Sequence, residues 1–431
     1  MKGVHYRSFA PPALPVVFLY NILIYLYRCA IGAAAWRQPK ARAWLDGRRD
    51  MWPHLLGLKA HNRPIVWVHS ASAGEFEQAK PVVEALRKQY PKYFVLCSFF
   101  SPSGYAAGKK WAGADAVCYL PLDTPYHAQR FVRTVQPQLA VFIKYEWWYH
   151  HIKALHEARI PVLMVAAIFH HNAVFFKWYG GLHRRMLHWV THLFVQDKAS
   201  AQLLNGLGIW HVTVCGDTRF DRVVLLAAEK KPDSFFLAYG YGHHLMVAGS
   251  TWPSDEGLLI AAMKALPPHV RMVIAPHEVS TSRLLQLQSR WPEAIEWYSQ
   301  VKNHSAAKRI LVIDNVGMLS GLYQYAQLTY IGGGFNKSGI HNTLEAAVWG
   351  KPVLFGPNYQ KFKEAKDLVE VGTAVAVKDA ASLVQAWENM LGNNQLLHER
   401  SNAAARYVQS GTGATQKIMD YIQANRLLTI E

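Results

Sequence analysis

From residue 64 onward, short apolar runs alternate with stretches whose apolar positions recur every three to four residues. The runs at 64–69, 93–100, 116–120, 138–143, 161–166, 191–196 and 211–215 predict strands. Between the first two, residues 75–90 place Phe76, Ala79, Val82, Val83, Leu86 and Tyr90 on one helical face. Strands that are apolar throughout, rather than alternating, are buried on both faces. They predict a parallel sheet covered by helices. Residues 224–243 (LLAAEKKPDSFFLAYGYGHH) break the rhythm and predict a linker. It resumes with strands at 245–248, 271–275, 309–313, 328–331, 352–355 and 373–377, and helical patterns at 255–266, 317–326, 342–349 and 362–371. The expectation is an α/β chain with two doubly wound halves, at 46–225 and 244–410, joined through 226–243. Residues 411–431 are expected to form a helix packing back on the first half. Ligands of such sheets bind beyond the carboxyl ends of the strands, so two halves facing each other predict a cleft.

The most apolar run, VVFLYNILIYLY at 16–27, precedes this pattern. At ~1.5 Å per residue it falls short of ~30 Å of hydrocarbon. Extension to Trp36 reaches spanning length but encloses Arg28. Residues 1–50 hold eight cations (Lys2, Arg7, Arg28, Arg37, Lys40, Arg42, Arg48, Arg49) against Asp46 and Asp50. Apolar aromatics flanked by cations predict that 1–45 anchors the chain on an anionic leaflet. A single span, a cleaved signal peptide ending near AIGAAA and a core helix are the other readings.

Composition narrows the class. The 431 residues are 51% hydrophobic and 17% charged, which excludes disorder. A mean hydropathy of −0.03 argues against a polytopic membrane protein. Lys+Arg 46 against Asp+Glu 29 leaves +17, and such an excess calls for an anionic partner. No zinc finger, RNP1 or KH loop supports nucleic acid in that role. Cys29, Cys97, Cys118 and Cys215 are far apart, and three lie in strand-like runs, which predicts free thiols in a reducing compartment. The 21 histidines show no metal-ligand spacing, so no metal site is expected.

Candidate chemistry sits at strand ends. In PIVWVHSASAGEFEQAKPVVEAL a strand ends at His69, a small-residue loop follows, and a helix begins at Glu75. Glu75 can serve the helix dipole or act as a general base. In LTYIGGGFNKSGIHNTLEAAVWGKPVLFGP, Gly332, Gly333 and Gly334 turn the chain, and a helix starting near Asn342 offers amides to phosphate, with Glu345 in its first turn. An ordinary capped turn is the alternative. AGSTWPSDEG presents Ser250 and Thr251 to a phosphate or sugar, VIAPHE places Pro276 and His277 at another strand end, and VCGDTRFDRV offers Arg219 to an anion.

Together these segments resemble the Kdo (3-deoxy-D-manno-octulosonic acid) transferases of lipopolysaccharide assembly, over about residues 20–425. The marks are HSASAGEFEQAKPVVEAL, SPSGY (101–105), CYLPLDTP (118–125), CGDTRFD (215–221), DNVGML (314–319) and GGGFNKSGIHNTLEAAVWGKPVLFGP (332–357). The resemblance implies two Rossmann-like domains in the glycosyltransferase B arrangement, an N-terminal membrane segment on the cytoplasmic face of the inner membrane, a CMP-Kdo donor and a lipid A precursor as acceptor. It implies Glu75 as catalytic base and no metal or redox cofactor. It assigns donor binding to Gly317, Met318 and Leu319, to Asn342, Thr343, Leu344 and Glu345, and to Pro276 and His277. The family's usual Arg before the histidine is missing here. Where many members carry E-T-E-L-W, this chain reads Lys144-Tyr145-Glu146-Trp147-Trp148, so Lys144 replaces the first glutamate and Glu146 remains. The N-A-R-x-S segment becomes Ala166-Ala167-Ile168-Phe169-His170, and Arg219 stands where others have Lys, as a phosphate or transition-state cation. Another nucleotide-sugar transferase, a UDP-sugar epimerase and a non-catalytic peripheral membrane protein are the rival readings.

Overall fold

The computed structural model describes residues 14–58, 62–291, 295–301 and 308–429. Lys2 and Arg7, counted among the anchor's cations, lie outside them. The chain divides into two compact units, Met1–Arg222 with Thr412–Glu431, and Val223–Gly411.

The first unit holds β1 (Ile65–Ser70), β2 (Phe94–Phe99), β3 (Ala116–Tyr119), β4 (Pro137–Ile143), β5 (Val162–Ala167), β6 (His192–Val195) and β7 (Val212–Val214). Their order is β3-β2-β1-β4-β5-β6-β7, with every pair parallel. β1 shows why its sequence is apolar throughout. Ile65 and Trp67 enter the core on one face, Val66 and Val68 the core on the other. The C-terminal helix Ala414–Ala424 completes the second of these cores with Ile418, Met419 and Ile422. Asp221 holds that helix's entry through the amides of Gly413 and Thr415.

The second unit holds β8 (His244–Thr251), β9 (Val270–Pro276), β10 (Ile295–Trp297), β11 (Ile310–Val312), β12 (Leu328–Ile331), β13 (Val353–Phe355) and β14 (Ala374–Ala376). The order is β10-β11-β9-β8-β12-β13-β14, again parallel. β10 is absent from the sequence expectation because three residues at a sheet edge carry too little pattern.

Three other expectations change. The supposed linker 226–243 is mostly helical: Thr218–Glu229 runs into it, and Ser234–Gly240 follows, capped by Asp233. Phe235 and Phe236 are buried there, so the segment belongs to the second unit's packing. The helix expected over 342–349 shrinks to Leu344–Ala347, and that over 317–326 to Leu319–Leu322 with a 3-10 turn at Tyr323–Tyr325. Finally, the N-terminal helix Leu14–Ala34 contains a stretch, Val16–Ala34, long and apolar enough to cross a membrane, yet one side of it packs on the first unit.

Candidate active site

In the first unit the strand order reverses direction between β1 and β4, the place where open α/β sheets hold ligands. The chain leaving each strand there carries a glutamate. Beyond β1, Ser72 caps the helix Ala73–Gln89. The Glu75 amide donates to Ser72 Oγ (3.4 Å), while Glu75 Oε2 accepts from the Ser72 amide (3.1 Å) and hydroxyl (3.2 Å). Glu75 thus sits in the first turn of a helix that starts two residues earlier than expected, and it does serve that helix's start. Its hydrogen bonds do not offset its setting. Burial raises its pKa, the Glu146 carboxylate raises it further, and Ser72 and His69 pull the other way.

Beyond β4, Lys144 takes a left-handed conformation (φ 66°), which turns the chain sharply into Tyr145 and Glu146. The Lys144 ammonium lies over the Tyr145 ring at 5.4 Å. Burial, and then the nearby Glu75 charge, raise the Tyr145 pKa. Glu146 is buried in a polar chain that crosses three strands. Trp148 Nε1 donates to Glu146 Oε2 (2.6 Å), and His69 Nε2 lies 3.1 Å from the same oxygen. His69 Nδ1 meets Ser98 Oγ at 2.8 Å, and Trp67 Nε1 donates to that hydroxyl at 2.7 Å. His69, Ser98 and Trp148 escape sequence reasoning because each looks like an ordinary strand or turn residue. Arg219, offered to an anion by the sequence, turns to a carboxylate in the same unit. Its Nε and Nη2 donate to Asp217 Oδ2 at 3.0 and 2.8 Å, and Gln78 donates to the same oxygen.

In the second unit the reversal falls between β8 and β12. The carboxyl ends of β8, β9 and β12 meet in a small-residue floor. Ser250 adopts φ 53° at a bulge, and a Cβ on Gly332 would meet Ser250 O at 2.2 Å. Asp255 secures this floor, accepting from the amides of Trp252 and Gly333 (2.9 Å each) and from Tyr330 OH (2.8 Å). Burial still raises its pKa. Thr251 is not offered to a ligand. Its hydroxyl is buried and donates to Glu256 at 3.2 Å.

Three aromatic rings from different strand ends stack here. His277 lies between Trp252 (centroids 4.6 Å) and His341 (4.4 Å), and Trp252 Nε1 donates to His341 Nε2 at 3.1 Å. Burial, with His277 alongside, lowers the His341 pKa to about 4. Next to His341, Asn342 Oδ1 accepts from the Leu344 amide (3.1 Å), and Asn342 Nδ2 donates to Glu345 Oε1 (3.3 Å). The Thr343 hydroxyl is buried without a partner. Glu345 lies near Tyr323, whose pKa is raised by burial and then by that carboxylate. Leu319 approaches the same place: a Cβ on Gly249 would meet Tyr323 OH at 2.0 Å and Leu319 Cδ1 at 2.6 Å. The segments 317–319 and 342–345 therefore converge around Tyr323. Gly317 supplies the positive φ (98°) that admits the first of them. Pro276 ends β9 immediately before His277.

Two parallel seven-stranded units, each with candidate-site loops at its reversal point, define a protein of the glycosyltransferase B fold. Solved structures agree: UDP-GlcNAc 2-epimerase from Neisseria meningitidis superposes with TM-score 0.58 at 15% identity, covering 84% of this chain and 100% of that one. MurG from Acinetobacter baumannii gives 0.55 at 15% identity, covering 84% and 99%. Sequence narrows the class. A family model described as 3-deoxy-D-manno-octulosonic-acid transferase (kdotransferase) matches residues 46–222. The 3-deoxy-D-manno-octulosonic acid transferase of Haemophilus influenzae is 25% identical over 425 residues, 94% of this chain and 98% of its own. That of Bordetella pertussis is 26% identical over 381 residues, 83% of this chain and 86% of its own. Residues 46–222 thus match a Kdo transferase domain, the chain is similar to Kdo transferases over most of its length, and it is a glycosyltransferase.

Proposed function

We propose that the enzyme transfers Kdo from CMP-Kdo to a phosphorylated lipid A precursor of the lipid IVA type, with inversion and without a metal or redox cofactor. The observation that carries this reading is Glu75, a half-buried carboxylate at the reversal point of the first sheet whose pKa is raised by burial and by Glu146. Such a group is a better proton acceptor than an exposed glutamate. Glu75 takes the proton from an acceptor hydroxyl as that oxygen attacks the anomeric carbon of Kdo. The bond to CMP breaks on the opposite face, and CMP leaves with its electron pair. Glu146, held by Trp148 and His69, keeps Glu75 basic.

In this reading the second unit holds the donor. Gly317, Met318 and Leu319, with Asn342, Thr343, Leu344 and Glu345, cradle the cytidylate, and Pro276 and His277 flank it. The buried, unpartnered Thr343 hydroxyl is one donor-side group in keeping with this. The shortness of the helix Leu344–Ala347 shifts the weight from a helix dipole to individual amides and side chains. Arg219 and Lys144 supply positive charge on the first unit. The acceptor stays in its bilayer, so the enzyme works at the cytoplasmic face of the inner membrane, held there by its apolar N-terminal helix.

Transfer assayed with CMP-Kdo and a lipid A precursor tests the whole reading. Wild-type turnover is expected, together with its loss in Glu75→Gln. Turnover with UDP-sugars in place of CMP-Kdo overturns it in favour of another nucleotide-sugar reaction.

A further inference from the structure

The N-terminal apolar helix is attached to the first unit along its length, not merely at one end. Val17, Tyr20, Asn21 and Ile24 are half-buried, at the i, i+3, i+4, i+7 spacing of one helical face. Tyr20 OH donates to Asp123 Oδ2 at 2.5 Å, and His150 Nε2 lies 2.6 Å from Asn21 Oδ1. Two turns further on, the Tyr27 ring lies 6.0 Å from both Trp44 and Phe100. The chain then doubles back. In the helix Pro39–Arg49, Ala41 and Trp44 are buried, and Arg48 donates to the carbonyls of Phe100 (2.8 Å) and Leu120 (2.9 Å).

Asp123 is itself 1% exposed and accepts from the amides of His150 (3.0 Å) and His151 (2.9 Å) and meets His151 Nδ1 at 2.6 Å. A helix bonded to this cluster cannot cross ~30 Å of hydrocarbon without drawing buried carboxylate and imidazole groups toward the acyl layer. The opposite face is apolar and open. Phe18, Leu19, Ile22, Leu23 and Leu26 are exposed (67% for Phe18), at i, i+1, i+4, i+5, i+8. Arg28, Arg37, Lys40 and Arg42 are exposed in and just after this helix, with Trp36 at 90%. An exposed apolar stripe followed in the chain by exposed cations and an exposed tryptophan suits one anionic leaflet.

We propose that this helix lies in the plane of one anionic leaflet, latched lengthwise to the first unit through Tyr20–Asp123 and Asn21–His150, and does not span the bilayer. The inference deepens the membrane part of the proposed function and rests on it. The latch also bears on the candidate site, because Asp123 fixes the amides of His150 and His151 just after Glu146, Trp147 and Trp148.

Cys29 is exposed while Cys97, Cys118 and Cys215 are buried, so a thiol-directed nitroxide label reports on this helix. The test uses the full chain on phosphatidylglycerol-containing vesicles. It measures nitroxide depth by paramagnetic relaxation at Cys29 and, in a Cys29→Ser background, at Phe18→Cys, Ile22→Cys and Leu26→Cys. One shallow depth at all four sites is expected. A depth that changes by ~1.5 Å per residue through the bilayer centre overturns the proposal. The double variant Tyr20→Phe/Asn21→Leu is expected to lose the uniform depth, and an unchanged profile overturns the latch. Absence of vesicle binding sinks this inference and the membrane reading together. Failure of Kdo transfer alone leaves the depth profile to be read.

Discussion

Glu75 and Glu146 arrive at one place from strands that are neighbours in the sheet, and the charge of the second raises the pKa of the first. Replacing Glu146 by Gln removes that charge. Glu75 then gives up its proton at lower pH, and the acid limb of kcat/KM is expected to move to lower pH. A pH-rate profile reads this directly. An acid limb that stays in place would show that Glu146 does not tune the base.

Glu75 is part of a capping box as well as the proposed base, and two substitutions separate these roles. Glutamine retains the acceptor that reaches the Ser72 amide, whereas alanine loses it at a cost of about 1 kcal/mol. Both variants should lose transfer by about 10²–10⁴-fold. The folded-state pKa of Glu75 lies above its unfolded value, so its contribution to stability is present at low pH and is lost as pH rises through the raised pKa. Glu75→Gln carries no such loss. Its melting temperature should therefore gain on wild type as pH rises, while Glu75→Ala melts lower at acid pH.

The ring stack of the second unit makes a separate prediction. Trp252→Phe keeps a ring beside His277 but removes the N–H that occupies His341 Nε2. That bond favours neutral imidazole, so its loss should raise the His341 pKa above about 4, while burial and His277 still hold it below its ordinary value. Imidazole NMR titration follows it. Trp252→Ala should weaken CMP binding about 2–10-fold by calorimetry, the equivalent of ~0.5–1.5 kcal/mol of ring contact.

Two glycines of the second unit should respond with opposite sign. Gly332→Ala drives a methyl into Ser250 O, 2.2 Å away, and should destabilise by about 1–3 kcal/mol. Gly257, inside the helix Pro253–Ala265, has nothing within 4 Å of a new Cβ. Alanine there should stabilise by about 0.5–1 kcal/mol. Urea unfolding measures both.

Most strands were legible because parallel strands buried on both faces are written as unbroken apolar runs, as in Ile65–Ser70. The same signal failed at Ile295–Trp297, where an edge position and three residues leave no run to recognise. Lys230, Lys231 and Pro232 disguised the helix Ser234–Gly240, although Phe235 and Phe236 anchor it. At the site, Glu75 and Glu345 were visible because each follows a strand in an ordered small-residue loop. The partners of Glu146 were not. His69 and Ser98 stand 77 and 48 positions away, and only strand adjacency brings them together. The Trp252–His277–His341 stack was hidden for the same reason, since it draws on three separate strand ends.

The helix Ala414–Ala424 belongs to the unit begun by the first half of the chain. That membership orders events during synthesis. Val223–Gly411 is contiguous and can fold as soon as it leaves the ribosome. The Glu75 unit must wait for Ile418, Met419 and Ile422, which emerge after the whole of the second unit. The helix Leu14–Ala34, made before the strands of its unit, meanwhile has only a part-built platform to dock on. A nascent chain stalled before residue 412 would therefore present an uncovered apolar sheet face to chaperones and proteases, and the unit bearing the proposed base would be completed only once Ala414–Ala424 has emerged.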